Sequence, residues 1–219
     1  MLTIYGVFRS RASRPLWLLG EIGMDYRHVP VIQGYRLPDA GAADAPLNTT
    51  SAAYLAVNPL GQIPAMTDGN LMLGESLAIC LHLARKYGGK LGPDGLDEQA
   101  LAENWALFAA TGIEGPALDI LYAQGDGSDK TEAGAALIAD RAEKLHRPLN
   151  RLDSHLARND WLMGDRFTVA DLMVAECLRY AQGHKPLMAA HPVTVAWLER
   201  CQARPAFKAM WAGRLAEPA

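Results

Sequence analysis

The spacing of apolar residues divides the chain into two unlike parts. Up to Gly89, short apolar runs alternate with amphipathic ones, whereas from Asp97 onward apolar residues recur every three or four positions. Leu2 to Val7 carries β-branched and aromatic residues and predicts a first strand. Phe8-Arg9-Ser10-Arg11-Ala12-Ser13 predicts a polar loop. Proline is tolerated only in the first turn of a helix, so Pro15 places a helix start near Ser13, with the helix running to Gly23. Tyr26 to Ile32 predicts a second strand, and a β-loop-α-β run is a crossover unit with parallel strands. Gln33 to Asn48 predicts a surface loop and Ser51 to Val57 a short helix.

Ile63-Pro64 opens a third apolar run. Proline removes a ladder donor there, so it belongs at a strand start or sheet edge, with its peptide bond either trans or cis. Thr67-Asp68-Gly69-Asn70 predicts a hairpin turn into a short strand at Leu71 to Leu73. Ser76 to Tyr87 predicts a helix with an apolar stripe at Leu77, Cys80, Leu81 and Ala84, stopped by Gly88-Gly89 after Arg85 and Lys86. The order to this point is βαβαββα.

Lys90-Leu91-Gly92-Pro93-Asp94-Gly95 predicts a linker. Helices follow at Asp97 to Tyr122, kinked around Gly112 to Pro116, and at Thr131 to Arg158, bent or broken at Pro148. Val169 to Gln182, Pro192 to Ala203 and Pro205 to Arg214 complete the helical part. Thr168 and Asp171 form a capping box, with Phe167 and Leu172 at the staple positions. The fold class expected is α/β plus all-α: a domain over residues 1–88, a linker over 89–96 and an all-helical domain over 97–219.

Composition narrows the function. The chain has 219 residues, 50% hydrophobic and 21% charged, with a net charge of −3. That balance gives no case for nucleic acid or an acidic membrane as partner. No signal peptide precedes the first strand, and no apolar run approaches the ~20 residues of a membrane helix, so a cytoplasmic protein is expected. Cys80, Cys177 and Cys201 are an odd number without metal-like spacing, which fits a reducing compartment and no metal. The histidines at 28, 82, 146, 155, 184 and 191 are scattered. The stretch from Asn58 to Ser76 holds the candidate chemistry. It brings a strand edge with free backbone groups close to a helix N-terminus with free amides, which suits an extended, peptide-like ligand carrying a carboxylate.

With these residues the chain resembles the soluble glutathione transferases over its whole length. Gln62-Ile63-Pro64 is similar to the family segment in which the residue before a cis-proline pairs its backbone with the cysteinyl part of glutathione. Glu75-Ser76, twelve residues after Pro64, is similar to the acidic-or-glutamine plus serine pair that holds the γ-glutamyl carboxylate and amine. Phe8 to Arg14 is similar to the catalytic loop of the serine-using classes, and Ser10 and Arg14 keep the Ser-x-x-x-Arg spacing of the theta- and delta-type classes. The same loop is similar to the zeta type, except that its Ser-Ser-Cys run is replaced by Ser10-Arg11-Ala12. The loop has no cysteine, unlike the omega-like and beta-like classes.

The resemblance implies a bacterial-type, serine-using detoxification enzyme that binds glutathione as co-substrate, with a homodimeric assembly. A free thiol of pKa near 8.5 is only about 3% thiolate at pH 7, and lowering it by ~2 units corresponds to ~2.7 kcal/mol. One hydrogen bond to a charged group contributes roughly 1.5–3 kcal/mol, so one hydroxyl is about sufficient. Ser10 is the candidate for that hydroxyl. Ser13, better placed as a helix N-cap, and Tyr5, better placed as a packed strand residue, are its alternatives. An apolar electrophile is expected at Phe8, Trp105, Phe108 and Thr111. The other functions considered are a glutathione-dependent isomerase or peroxidase and a non-catalytic binding or regulatory protein on the same scaffold.

Overall fold

The computed structural model describes residues 1–217. Strands β1 (Thr3–Tyr5), β2 (Arg27–Val29), β3 (Ala65–Asp68) and β4 (Leu71–Leu73) form one sheet in the order β2-β1-β3-β4. β1 pairs with β2 in parallel and with β3 antiparallel, and β3 and β4 form the hairpin. Helices α1 (Ser13–Ile22), α2 (Ala52–Leu55) and α3 (Ser76–Tyr87) fall between them in the expected βαβαββα order. The strands are shorter than the apolar runs predicted, and Leu2 and Val7 are buried just outside β1.

The first unit buries Ile4, Trp17, Leu18, Met66, Ile79 and Leu83 without measurable exposure. Fully burying each side chain of this size stabilises by roughly 1.5–3 kcal/mol. The face α3 turns inward is Ser76, Ile79, Cys80, Leu83 and Ala84. Leu77 and Leu81, expected on the inner stripe, sit at its half-buried margin. The i, i+3, i+4 rule finds the period of a helix but not its phase when apolar residues flank both sides of the stripe. Asp68, at the end of β3, fastens the hairpin to α3. Its carboxylate accepts from Lys86 Nζ (2.7 Å) and Tyr87 Oη (3.0 Å) and lies 3.0 Å from His82 Nε2. Chiefly the Lys86 bond, aided by His82 and Tyr87, holds this carboxyl down at about 2.

Beyond Gly89 the structure is helical. α4 (Gly95–Phe108) and α5 (Gly115–Gly125) are joined by a π-helical turn over Ala109–Glu114, where the sequence predicts a kink. α6 (Glu132–Leu156) runs through Pro148 without a break, contrary to expectation. Leu145, Leu149 and Leu152, fully buried on either side, hold the helix in register at the proline. α7 (Val169–Leu178), α8 (Lys185–Ala189), α9 (Pro192–Gln202) and α10 (Pro205–Ala216) follow, with α8 not anticipated.

The chain divides into compact units after Gly89, at the start of the expected linker, and again after residue 203. One comprises residues 1–89 together with the segment from Arg204 on, and the other residues 90–203. The expected helical domain over 97–219 therefore gives up its last helix. Phe207 meets Trp17 edge to face at 4.9 Å, and Arg204 grips the Glu21 carboxylate through Nε and Nη2, both at 2.8 Å.

In the helical unit the capping box is formed. The Thr168 hydroxyl caps the first turn of α7, and Asp171 accepts from the Thr168 amide (2.9 Å). Asp171 also accepts from the Leu162 amide (2.9 Å) and Trp197 Nε1 (3.0 Å). Burial pushes its carboxyl up, against the pull of these donors.

Candidate functional site

The loop after β1 begins at Gly6, whose φ of +137° only glycine adopts freely; a Cβ there would lie 2.9 Å from that of Ala12. The chain thus turns back tightly before α1. Ser10 lies in this turn, half-buried. Its hydroxyl donates to the Val7 carbonyl (2.6 Å) and accepts from the Ala12 amide (3.0 Å), a local serine turn. Ser13 does not cap the helix. Ala12 holds the cap position without a side-chain bond, and Ser13 is the first, fully buried, helical residue. The amides that a cap would serve are met by backbone, Ser13 by the Ser10 carbonyl and Arg14 by that of Arg11. Tyr5 packs against the cluster of Val31, Tyr54 and Ala65, its ring 6.2 Å from that of Tyr54.

The Ile63-Pro64 peptide bond is cis, Pro64 is buried, and the β3 ladder begins at Ala65. Ile63 therefore precedes the ladder, packed on the Val31–Tyr54–Ala65 cluster. The Gln62 carbonyl is tied inward by Tyr54 Oη (2.5 Å) and Asn58 Nδ2 (2.7 Å), while the Gln62 side chain is exposed. Burial pushes the Tyr54 phenol up to about 12, so it remains a neutral donor.

At the start of α3, Glu75 is exposed and stands at φ +48°, the one non-glycine residue with positive φ among those described. Such a backbone costs on the order of 1–3 kcal/mol and persists where its surroundings impose it. No side chain caps α3. Ser76 is buried, and its hydroxyl oxygen accepts from Arg14 Nη1 at 2.8 Å. Arginine only donates, so the hydroxyl's own hydrogen remains to be given to a second group. A donor hydroxyl, the first amides of a helix and its dipole together favour an anion. Arg14, 1% exposed, thereby links the Ser10 turn to the start of α3.

The expected apolar residues lie in both units. Phe8 is half-buried in the first, its ring edge-on to His28 at 5.3 Å and facing Gly213 of α10. In the helical unit Trp105 is 4% exposed and meets Phe108 edge-on at 5.4 Å, with the Arg151 guanidinium over both rings. Phe108 is half-buried, and Thr111 is exposed with its hydroxyl donating to the Leu107 carbonyl (2.8 Å). Among the described residues no group of three or more His, Cys, Asp or Glu side chains gathers as a metal site would require, and no helix is long and apolar enough to cross a membrane.

Sequence reasoning missed the supports of this site. Arg14 was visible only as a spacing from Ser10. Tyr54 and Asn58, which hold the Gln62 carbonyl, gave no signal beyond a polar residue beside Pro59.

The βαβαββα order, the β2-β1-β3-β4 sheet and the cis-proline before β3 define a thioredoxin-like unit. The family model for the N-terminal domain of glutathione S-transferase matches residues 5–91, and that for the C-terminal domain matches residues 104–205. Glutathione S-transferase 3 of Zea mays is 34% identical, over 94% of this chain and 91% of its own. Among solved structures, glutathione transferase F7 from Populus trichocarpa superposes with a TM-score of 0.79 at 28% identity, over 97% of this chain and 99% of that one. Glutathione S-transferase-I bound with lactoylglutathione gives 0.78 at 27% identity, over the same shares. The chain belongs to the glutathione S-transferase family.

Proposed function

We propose that this transferase activates glutathione through the Ser10 hydroxyl for attack on an apolar electrophile. The observation that carries the proposal is the Ser10 turn itself. The Ala12 amide already donates to Oγ, and the hydroxyl hydrogen rests on a neutral carbonyl, that of Val7. Turning that hydrogen to a thiolate exchanges a neutral acceptor for a charged one. Charge-assisted hydrogen bonds are roughly twice as strong as neutral ones, so the exchange favours the thiolate.

Glutathione itself is assigned to the first unit. Its γ-glutamyl carboxylate lies at the start of α3 with Ser76 donating, and its ammonium meets Glu75. Its cysteinyl backbone runs along Gln62-Ile63-Pro64, where Ile63 stands outside the ladder. The electrophile is assigned to apolar side chains of the helical unit, where Phe108 and Thr111 are more accessible than Trp105. As the family resemblance implies, the protein acts as a cytoplasmic homodimer.

The test is the thiolate absorbance of bound glutathione as a function of pH, in the wild type and in Ser10→Ala. The wild type should hold the bound thiol about 2 units below its free value, and Ser10→Ala should lose most of that shift. At pH 7 the thiolate fraction, and kcat with it, should fall roughly 10- to 25-fold. An unshifted thiol in the wild type, or full activity in Ser10→Ala, overturns the assignment. Turnover of halides, epoxides, peroxides and unsaturated carbonyls by the same preparation identifies the electrophile class.

A further inference from the structure

The loop that carries Ser10 is held from outside by the far end of the chain. Glu217, just past α10, accepts from the Phe8 amide with Oε1 (2.7 Å) and from the Arg9 amide with Oε2 (2.8 Å). Arg214 Nη1 donates to the Phe8 carbonyl (2.8 Å), and Arg9 Nε donates to the Arg214 carbonyl (3.1 Å). Phe8 and Arg9 are thus engaged through both backbone and side chain. The Phe8 ring also lies so close to Gly213 that a Cβ there would meet ring atoms at 3.1 Å.

We infer that Glu217 is a positioning residue for Ser10, holding the Phe8–Arg9 turn while the serine hydroxyl is engaged elsewhere. This inference rests on the reading of Ser10 given above. As it stands, the turn is closed on two sides. The Ser10 hydroxyl bridges back to Val7, and the Glu217 carboxylate clamps the two residues between them. When Ser10 turns its hydrogen to sulfur, the bridge to Val7 is given up. The Glu217 clamp is then the side-chain bond that still fixes the amides before Ser10. A carboxylate suits the task because each oxygen accepts one of two successive amides, and a charged acceptor strengthens both bonds. The clamp therefore matters most at the step in which Ser10 acts, and little for the initial binding of glutathione, whose anchors lie at Ser76 and Gln62 to Pro64.

The experiment is a double-mutant cycle between Glu217 and Ser10 on the full chain, with a halide electrophile and glutathione as substrates. Glu217→Ala and Glu217→Gln, the second keeping the size of the side chain, are each made alone and with Ser10→Ala. In the wild-type background, kcat should fall roughly 5- to 10-fold, the scale of a small displacement of a reacting group, while KM for glutathione stays within about twofold. In the Ser10→Ala background the same substitutions should change kcat less than about twofold, because the group they position is gone. Equal losses in both backgrounds overturn the inference and make Glu217 a general tether. No loss in either, or a loss confined to KM, overturns it as well. Full activity of Ser10→Ala alone is a different result, since it removes the Ser10 reading itself.

Discussion

Two helix starts in this molecule solve the same problem in opposite ways. The first amides of α7 are served by the chain itself: Thr168 caps them, and Asp171 gathers the amides of Thr168 and Leu162 and the indole of Trp197. The start of α3 has no side-chain cap, its preceding residue is exposed in a strained backbone, and its serine oxygen accepts from Arg14. Every helix start has about four amides to satisfy. Where the chain satisfies them, the residues serve the fold. Where it leaves them open beside a strained residue, the proposed function gives them to a ligand.

That contrast fails if the substitutions at the two ends act alike. The largest effect is expected at the closed end. Asp171→Ala removes a cap and strands the Leu162 amide and the Trp197 indole in the core, so urea denaturation should show a loss of about 3–5 kcal/mol. Activity per folded molecule should not change. At the open end the loss moves from stability to binding. Ser76→Ala should raise the Kd for glutathione by roughly 10-fold or more, as measured by calorimetry, while costing about 1 kcal/mol of stability. The smallest effect is the sharpest in sign. Glu75→Gly relieves the positive φ and should stabilise the protein by about 0.5–1 kcal/mol against urea, while glutathione binds several-fold more weakly. A destabilised Glu75→Gly protein would mean that the strain is not stored at this residue.

Much of this arrangement is legible in the sequence because it is local. The bounds of α3, the proline before β3 and the Thr168–Asp171 box depend on residues within four positions of one another. So does the hydroxyl bridge of Ser10, although Glu217 holds the same loop from afar. What stays hidden is set by partners distant in the chain. Pro148 signals a break, yet buried leucines on both sides keep α6 whole. Arg14 has the composition of a solvent-facing residue, and only the approach of α3 explains its burial. The periodicity of α10 announces an amphipathic helix but does not say which surface it covers. It is read with the helices before it, although its aromatic side packs against α1. The hydroxyl of Ser13 suggests a cap, but backbone carbonyls three residues earlier take that place.

The return of α10 to the first unit also bears on how the protein is made. A ribosome delivers the sheet, α1 and α3 first, yet the aromatic cover of Trp17 and the arginine that grips Glu21 lie in a segment 183 residues beyond that glutamate. The helical unit has all of its residues by position 203, whereas the first unit does not. The half made first is therefore the half completed last. Until then the nascent chain carries an uncovered face on α1, a surface for a chaperone or for aggregation.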